Sequence, residues 1–142
     1  MAMTNNSIQF ESIVKHLLEV EESVEDLVNS LSSSVEERTE LSELMKKYVH
    51  SVEDILKNKQ QINYKEFPKV IIGCRVKVEE VESGEVLEYK IVSPFSKDYN
   101  AGDVSCISPV GKEILLKKAG DEFSVSVPMG VIRYRIISIC YE

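Results

Sequence analysis

The stretch that decides the fold of the second half of the chain spans residues 108–122 and reads SPVGKEILLKKAGDE. Ser108 is a favourable N-cap, and Pro109 stands at the first helical position, where its missing N–H costs no hydrogen bond. Gly120 suits the left-handed exit from a helix. The stretch therefore predicts a helix of one to two turns that interrupts the strands of this half.

Apolar and polar residues alternate with a period of two after residue 68, which is typical of strands with one buried face. Gly84 supplies a hairpin turn between the first two alternating segments, and Pro128, Met129 and Gly130 supply another before the last segment. A phase change follows at Ile137. The pattern predicts an antiparallel sheet curled around one short helix, an α+β fold. Its five strands are expected at residues 74–78, 87–91, 104–107, 123–127 and 132–136.

The first half of the chain has the spacing of a coiled coil. Apolar residues recur at intervals of three and four over residues 10–31 and again over 41–55, with serines at 32–34 between them. Ser34 is a candidate N-cap, and Glu37 is placed to complete a capping box. Two matching seams with a short connection predict an antiparallel helical hairpin, although the same seams could pair between chains as a four-helix dimer. The sequence therefore predicts two domains, 1–66 and 67–142, and leaves the oligomeric state open.

Composition and charge exclude several classes of function. The net charge of −7 argues against nucleic acid as the primary ligand, because phosphate binding needs a basic face, and we expect no sequence-specific contact with it. No apolar run is long enough to span a membrane and the start of the chain has no export signal, so we expect a cytoplasmic protein. Three widely spaced cysteines fit reduced, buried thiols. His16 and His50 flank the helical seams without an evident partner.

The sequence also lacks the patterns that accompany catalysis. It has no Ser/His/Asp or Cys/His constellation, no glycine-rich phosphate loop and no paired metal-ligand spacing. We therefore expect a protein that is not itself an enzyme and that carries no cofactor and no metal ion of its own.

Six segments of the second half, taken in order and spacing, resemble the C-terminal domain of the bacterial GreA/GreB transcript-cleavage factors. They read IGCRVKV, SGE, YKIV, SPVGK, AGDE and PMGV, and they lie at residues 72–78, 83–85, 89–92, 108–112, 119–122 and 128–131. The resemblance implies a sheet domain similar in fold to FKBP proteins. The regulator Rnk resembles the same domain on a shorter helical hairpin, and the length of this chain lies nearer to Rnk.

The resemblance implies binding to RNA polymerase. Gre-type factors dock this domain on the rim of the polymerase secondary channel and extend the helical hairpin down the channel. Acidic residues at the hairpin tip then reach the active-site magnesium ion, where a second metal ion and a water molecule cleave backtracked RNA. By this resemblance the docking residues here are Ile107, Ser108, Pro109, Val110 and Lys112, and any metal contact is an indirect one with the polymerase magnesium. Suitable charge is present, because residues 19–43 include nine acidic residues and a single arginine.

The tip departs from the family motif Asp-Leu-Ser-Glu-Asn-Ala-Glu-Tyr. The nearest stretch, SSVEERTE at residues 33–40, has serine at the leading aspartate position, while Glu36 or Glu37 stands for the first glutamate and Glu40 for the second. Serine is a poor magnesium ligand beside carboxylate. The resemblance therefore implies a factor that occupies the channel without efficient cleavage, and it leaves open whether transcription is inhibited or activated. The alternatives are an active cleavage factor, a Rnk-like regulator, and a stand-alone protein-interaction or dimerisation module.

Simpler interpretations stand beside these. Outward acidic residues on helices are usually a solvated face. Lysines near the end of the short helix complement its dipole without any partner. Ile107 fits the core as well as it fits a docking contact.

Overall fold

The structure is a computed structural model that describes residues 2–94 and 99–141, with side chains described from Ile8 onward. The chain divides into two compact units, Met1–Ile62 and Asn63–Glu142. The first unit is helical and the second contains the sheet, so the architecture predicted from the two hydrophobic periods is confirmed. The division lies four residues before the predicted boundary at 66/67.

The first unit is a hairpin of two long helices. Helix α1 spans Ala2–Leu31 and helix α2 spans Val35–Lys57, and a single 3-10 turn follows at Lys59–Gln61. The seam predicted by the spacing of three and four is buried along α2, and Ile13, Leu17 and Leu27 bury it from α1. Among the described residues, no helix has the length and apolar character needed to cross a membrane.

A polar contact joins the two helices inside this seam. His16 Nε2 lies 2.6 Å from the hydroxyl oxygen of Tyr48, and the two rings meet edge to face. Tyr48 is fully buried, and burial lowers the pKa of His16 in spite of the nearby Glu19 carboxylate. His16 therefore has a partner 32 residues away that the one-dimensional pattern could not reveal.

The second unit contains one five-stranded sheet. Its strands are β1 (Cys74–Glu80), β2 (Val86–Val92), β3 (Asp103–Ser105), β4 (Glu122–Val127) and β5 (Gly130–Tyr141), in the spatial order β3-β2-β1-β5-β4. Short helix α3 (Pro109–Ile114) lies between β3 and β4 in the chain and packs on both. The buried face of the sheet carries the apolar residues of the alternating pattern, including Val76, Val78 and Ile136.

One strand pair differs from the predicted antiparallel sheet. β3 runs parallel to β2, with Lys90 paired to Asp103 and Val92 paired to Ser105. Parallel neighbours normally need a long crossover. Here β3 contains only three residues and pairs with the end of β2, so the connection has to carry the chain back over a very short length of strand. The sheet is therefore mixed, with its other three neighbouring pairs antiparallel.

The exit from the short helix also differs from the prediction. Helix α3 ends at Ile114, and Leu116, with φ 67°, adopts the left-handed conformation that was assigned to Gly120. Leu116 N–H donates to the carbonyl oxygen of Val70, a bond that holds the chain in this unusual conformation. Gly120 does have positive φ, at 93°, but it lies in the later turn that leads into β4.

The segment that follows the helical hairpin belongs to the sheet unit. Tyr141 N–H donates to the carbonyl oxygen of Tyr64 at 2.7 Å, and Phe67 N–H donates to that of Ile139 at 2.9 Å. The rings of Tyr64, Phe67 and Tyr141 contact one another, with centroids 5.5 to 6.3 Å apart. These contacts explain why the second unit begins before residue 67.

Candidate functional site

The entrance to helix α3 is fixed by hydrogen bonds to Ser105, the last residue of β3. Ser108 Oγ donates to the carbonyl oxygen of Ser105 at 2.7 Å and accepts from Gly111 N–H at 3.0 Å. Ser108 N–H donates to the same carbonyl oxygen at 3.1 Å, and Ile107 N–H donates to Ser105 Oγ at 3.3 Å. The N-cap predicted at Ser108 is therefore present, and it is tied to the strand before it.

Gly111 makes this close packing possible. A Cβ atom built on Gly111 would lie 1.9 Å from the carbonyl oxygen of Ser105, far inside van der Waals contact. The first turn of α3 thus rests directly on the backbone of β3. Sequence reasoning did not single out Gly111 or Ser105, although a glycine inside a helix, about 1 kcal/mol less favourable than alanine, is a signal of such contact.

The residues predicted for docking lie at this entrance. We call Ile107, Ser108, Pro109, Val110 and Lys112 the entrance surface. Pro109 and Lys112 are exposed, and the other three are half-buried. Ile107 is therefore accessible in part.

The acidic tip lies at the other candidate site, the turn between α1 and α2. Ser34 is the N-cap of α2 and accepts from Glu37 N–H at 3.1 Å, as predicted. The carboxylate of Glu37 turns back and accepts from Ser33: Glu37 Oε2 lies 2.8 Å from Ser33 N and 2.7 Å from Ser33 Oγ. These bonds reach one residue beyond Ser34, the N-cap residue that the usual capping box pairs with.

The three predicted tip carboxylates differ in their surroundings. Glu36, Glu37 and Glu40 are all exposed, but only Glu37 is held against the turn. Glu36 and Glu40 are four residues apart on α2, a spacing that places two side chains on the same helix face. The two candidate sites lie in different units, with the tip in the first and the entrance surface in the second.

The described residues hold no evident metal site, and two of the three cysteines are buried. Within residues 2–94 and 99–141, no group of three or more His, Cys, Asp or Glu residues is arranged to hold a metal ion. Burial raises the pKa of Cys74 to about 12 and that of Cys106 to about 11, so both remain protonated thiols at neutral pH. Cys140 is half-buried.

Comparison with known families identifies relatives of the sheet unit. A family model described as the C-terminal part of the transcription elongation factors GreA and GreB matches residues 65–141. The match covers every strand of the sheet and the entrance surface, and it confirms the resemblance carried by the six segments.

Individual relatives agree with this assignment. A transcription elongation factor GreA of Nitratidesulfovibrio vulgaris strain Miyazaki F is 42% identical over 74 residues, which cover 52% of this chain and 46% of the relative. A GreA of Thermoanaerobacter pseudethanolicus is 39% identical over 93 residues, covering 64% of this chain and 59% of the relative. The chain thus spans about half the length of the curated relatives it matches.

A solved structure shares the fold. The GreA/GreB elongation factor from Nitrosomonas europaea superposes with a TM-score of 0.54 and 24% identity, over 84% of this chain and 91% of that chain. At this level of identity the likeness concerns architecture, with a helical hairpin followed by a curled sheet.

Proposed function

This chain belongs to the GreA/GreB family of transcription elongation factors through its C-terminal domain, and on that basis we propose that it binds RNA polymerase at the secondary channel and modulates transcription without efficient transcript cleavage. The domain would dock at the channel rim through the entrance surface, and the helical hairpin would enter the channel. The chain would act in the cytoplasm, where the polymerase is, and would not itself be an enzyme. Any metal contact would be with the magnesium ion of the polymerase.

The geometry of the entrance surface supports its role in docking. Ser105, Ser108 and Gly111 fix the backbone of this surface before any partner arrives. A preorganised surface loses little conformational entropy on binding, so more of its contact energy appears as affinity. Its exposed Lys112 and its partly exposed Ile107 offer a cation and an apolar side chain to a protein partner.

The acidic tip supports entry into a channel that leads to a metal ion. Its carboxylates are exposed, and Arg38 is the one basic residue between residues 19 and 43. Such a one-signed surface is attracted to a site that holds divalent cations and repelled by the phosphates of nucleic acid.

The identity of the capping residue carries the proposal that cleavage is inefficient. Ser33 or Ser34 stands where the family motif has aspartate, and both hydroxyl groups are already bonded: Ser34 Oγ accepts from Glu37 N–H, and Ser33 Oγ donates to the Glu37 carboxylate. The carboxylate of Glu37 is also occupied, because its Oε2 atom accepts two hydrogen bonds from Ser33. The tip would therefore offer fewer carboxylates to a two-metal site than a cleavage factor, because a hydroxyl is a weak magnesium ligand.

A stalled elongation complex with end-labelled transcript tests both parts of the proposal. The protein should co-purify with immobilised RNA polymerase, slow nucleotide addition, and displace a cleavage-competent GreA in excess, while producing little cleaved RNA at two magnesium concentrations. Failure to bind the polymerase would reject the proposal. A concentration-dependent rise in molecular mass without binding to polymerase would favour the dimerisation module. Absence of both polymerase binding and self-association would favour the Rnk-like alternative.

An active cleavage factor is the second candidate. It is favoured by Glu36 and Glu40, which are exposed on one face of α2 at a spacing that could direct two carboxylates toward one ion. Rapid cleavage by the unmodified protein, lost in Glu36→Gln but kept in Glu43→Gln, would establish this candidate instead. Glu43 is a matched control because it is also exposed on α2, about two turns further from the tip than Glu36.

A further inference from the structure

Glu37 differs from the other tip carboxylates in having a structural task already. One oxygen atom, Oε2, accepts both the backbone N–H and the hydroxyl of Ser33. The backbone N–H of Glu37 in turn donates to Ser34 Oγ, and Arg38 N–H donates to the carbonyl oxygen of Ser34. Glu37 thus connects the last residues of the turn with the first turn of α2.

This arrangement addresses two problems of the tip. The first N–H groups of a helix have no partner inside the helix, and the N-cap hydroxyl satisfies only one of them. The turn of residues 32–34 is also short, and the acidic residues on both helices repel one another across it. The Ser34 cap bonds to the first turn of α2, and the acceptor oxygen of Glu37 ties Ser33 to the same turn.

From this geometry we propose that Glu37 is a positioning residue, which locks the tip turn onto Ser33 so that Glu36 and Glu40 are the carboxylates presented to the partner. The role assigned to Glu36 and Glu40 rests on the proposed function, whereas the lock itself is a property of the free protein. Its acceptor oxygen, rather than its charge, is what the tip needs from Glu37.

Conservative and truncating substitutions separate these two roles. The side-chain oxygen of glutamine can accept the same two hydrogen bonds without the charge, while alanine can accept neither. In the elongation assay, Glu37→Gln should change the half-maximal concentration for slowing elongation by less than about twofold. Glu37→Ala should raise it about fivefold, the equivalent of two exposed hydrogen bonds at the low end of their net contribution. At Glu36, substitution by glutamine and by alanine should have equal effects, because the role proposed for Glu36 depends on its charged carboxylate, which both substitutions remove.

Hydrogen exchange of the free protein tests the lock without the polymerase. We expect the Ser33 amide of the full chain to exchange about fivefold faster in Glu37→Ala, and less than twofold faster in Glu37→Gln and in the matched control Glu36→Ala. Unchanged exchange in Glu37→Ala would overturn the lock even if the protein binds polymerase. Equal loss of activity in Glu37→Gln and Glu37→Ala would also overturn it, since the charge of Glu37 would then act directly. If the protein fails to bind polymerase but Ser33 exchange responds as expected, the proposed function fails and the lock stands.

Discussion

Replacing Gly111 by alanine should destabilise the sheet unit, although helix propensity alone predicts the opposite. Alanine is favoured over glycine inside a helix by about 1 kcal/mol. The added methyl group, however, would lie 1.9 Å from the carbonyl oxygen of Ser105 and must move out to at least 3.0 Å. A displacement of more than 1 Å costs more free energy than the helix propensity of alanine provides.

The size of the effect follows from the bonds that the displacement breaks. Moving α3 with its N-cap away from β3 stretches two hydrogen bonds, those from Ser108 Oγ and Ser108 N–H to the carbonyl oxygen of Ser105. At about 1 kcal/mol each they outweigh the propensity gain, which leaves a net loss of about 1 kcal/mol. This lies within the range of about 1–3 kcal/mol for overpacking a tight site.

Urea unfolding followed by tyrosine fluorescence measures this loss. Five of the six tyrosines lie after residue 62, so the signal reports mainly on the sheet unit. Gly84→Ala is the control, because nothing lies within 4 Å of its added methyl and it tests only the positive φ of 75°; we expect it to lose about 1 kcal/mol. If Gly111→Ala is as stable as the unmodified protein or more stable, the inferred contact between α3 and β3 is wrong. Binding to polymerase should weaken in Gly111→Ala and not in Gly84→Ala.

Three further predictions concern the rest of the molecule. Because burial lowers the pKa of His16, the folded hairpin favours the neutral form of this side chain. The stability that His16 contributes is present above its unfolded pKa of about 6.5 and is lost as the pH falls toward the folded pKa. Thermal melting of the helices, followed by circular dichroism, should therefore depend less on pH in His16→Gln. A fragment of residues 63–142 should fold alone, whereas one of residues 68–142 lacks two aromatic rings of the cluster and should be less stable by more than about 3 kcal/mol, as measured by urea titration. A thiol reagent should label Cys140 first in the native protein and the two buried cysteines only as fast as the unit opens; rapid labelling of all three would contradict their burial.

The sequence predicted those features whose causes lie close together in the chain. The spacing of three and four located both helices, and the alternation of two located the strands. The phase change at Ile137 was also visible, because two isoleucines in succession break the alternation. The structure explains it as a bulge: Lys77 pairs with Ser138 and Val78 with Ile136, so Ile137 has no partner on β1 and its side chain is exposed.

Features that depend on distant residues could not be read from the pattern. The parallel pairing of β3 depends on how the connection returns, and the partner of His16 comes from the second helix. The left-handed conformation of Leu116 runs against residue preference and depends on a bond to Val70. At the tip, the pairing of Ser34 with Glu37 was predicted, but the bonds from Ser33 to the Glu37 carboxylate were not, because they depend on the backbone geometry of the turn.

The attachment of the hairpin exit to β5 has a mechanical consequence. Tyr64 bonds to Tyr141 and Phe67 bonds to Ile139, so this segment lies antiparallel to the last residues of the chain. A force that pulls residue 63 away from the C-terminus loads these bonds one after another, beginning with that of Tyr64, and does not load them together. The junction therefore unzips at low force, and the five-stranded sheet bears no load until both hydrogen bonds have broken.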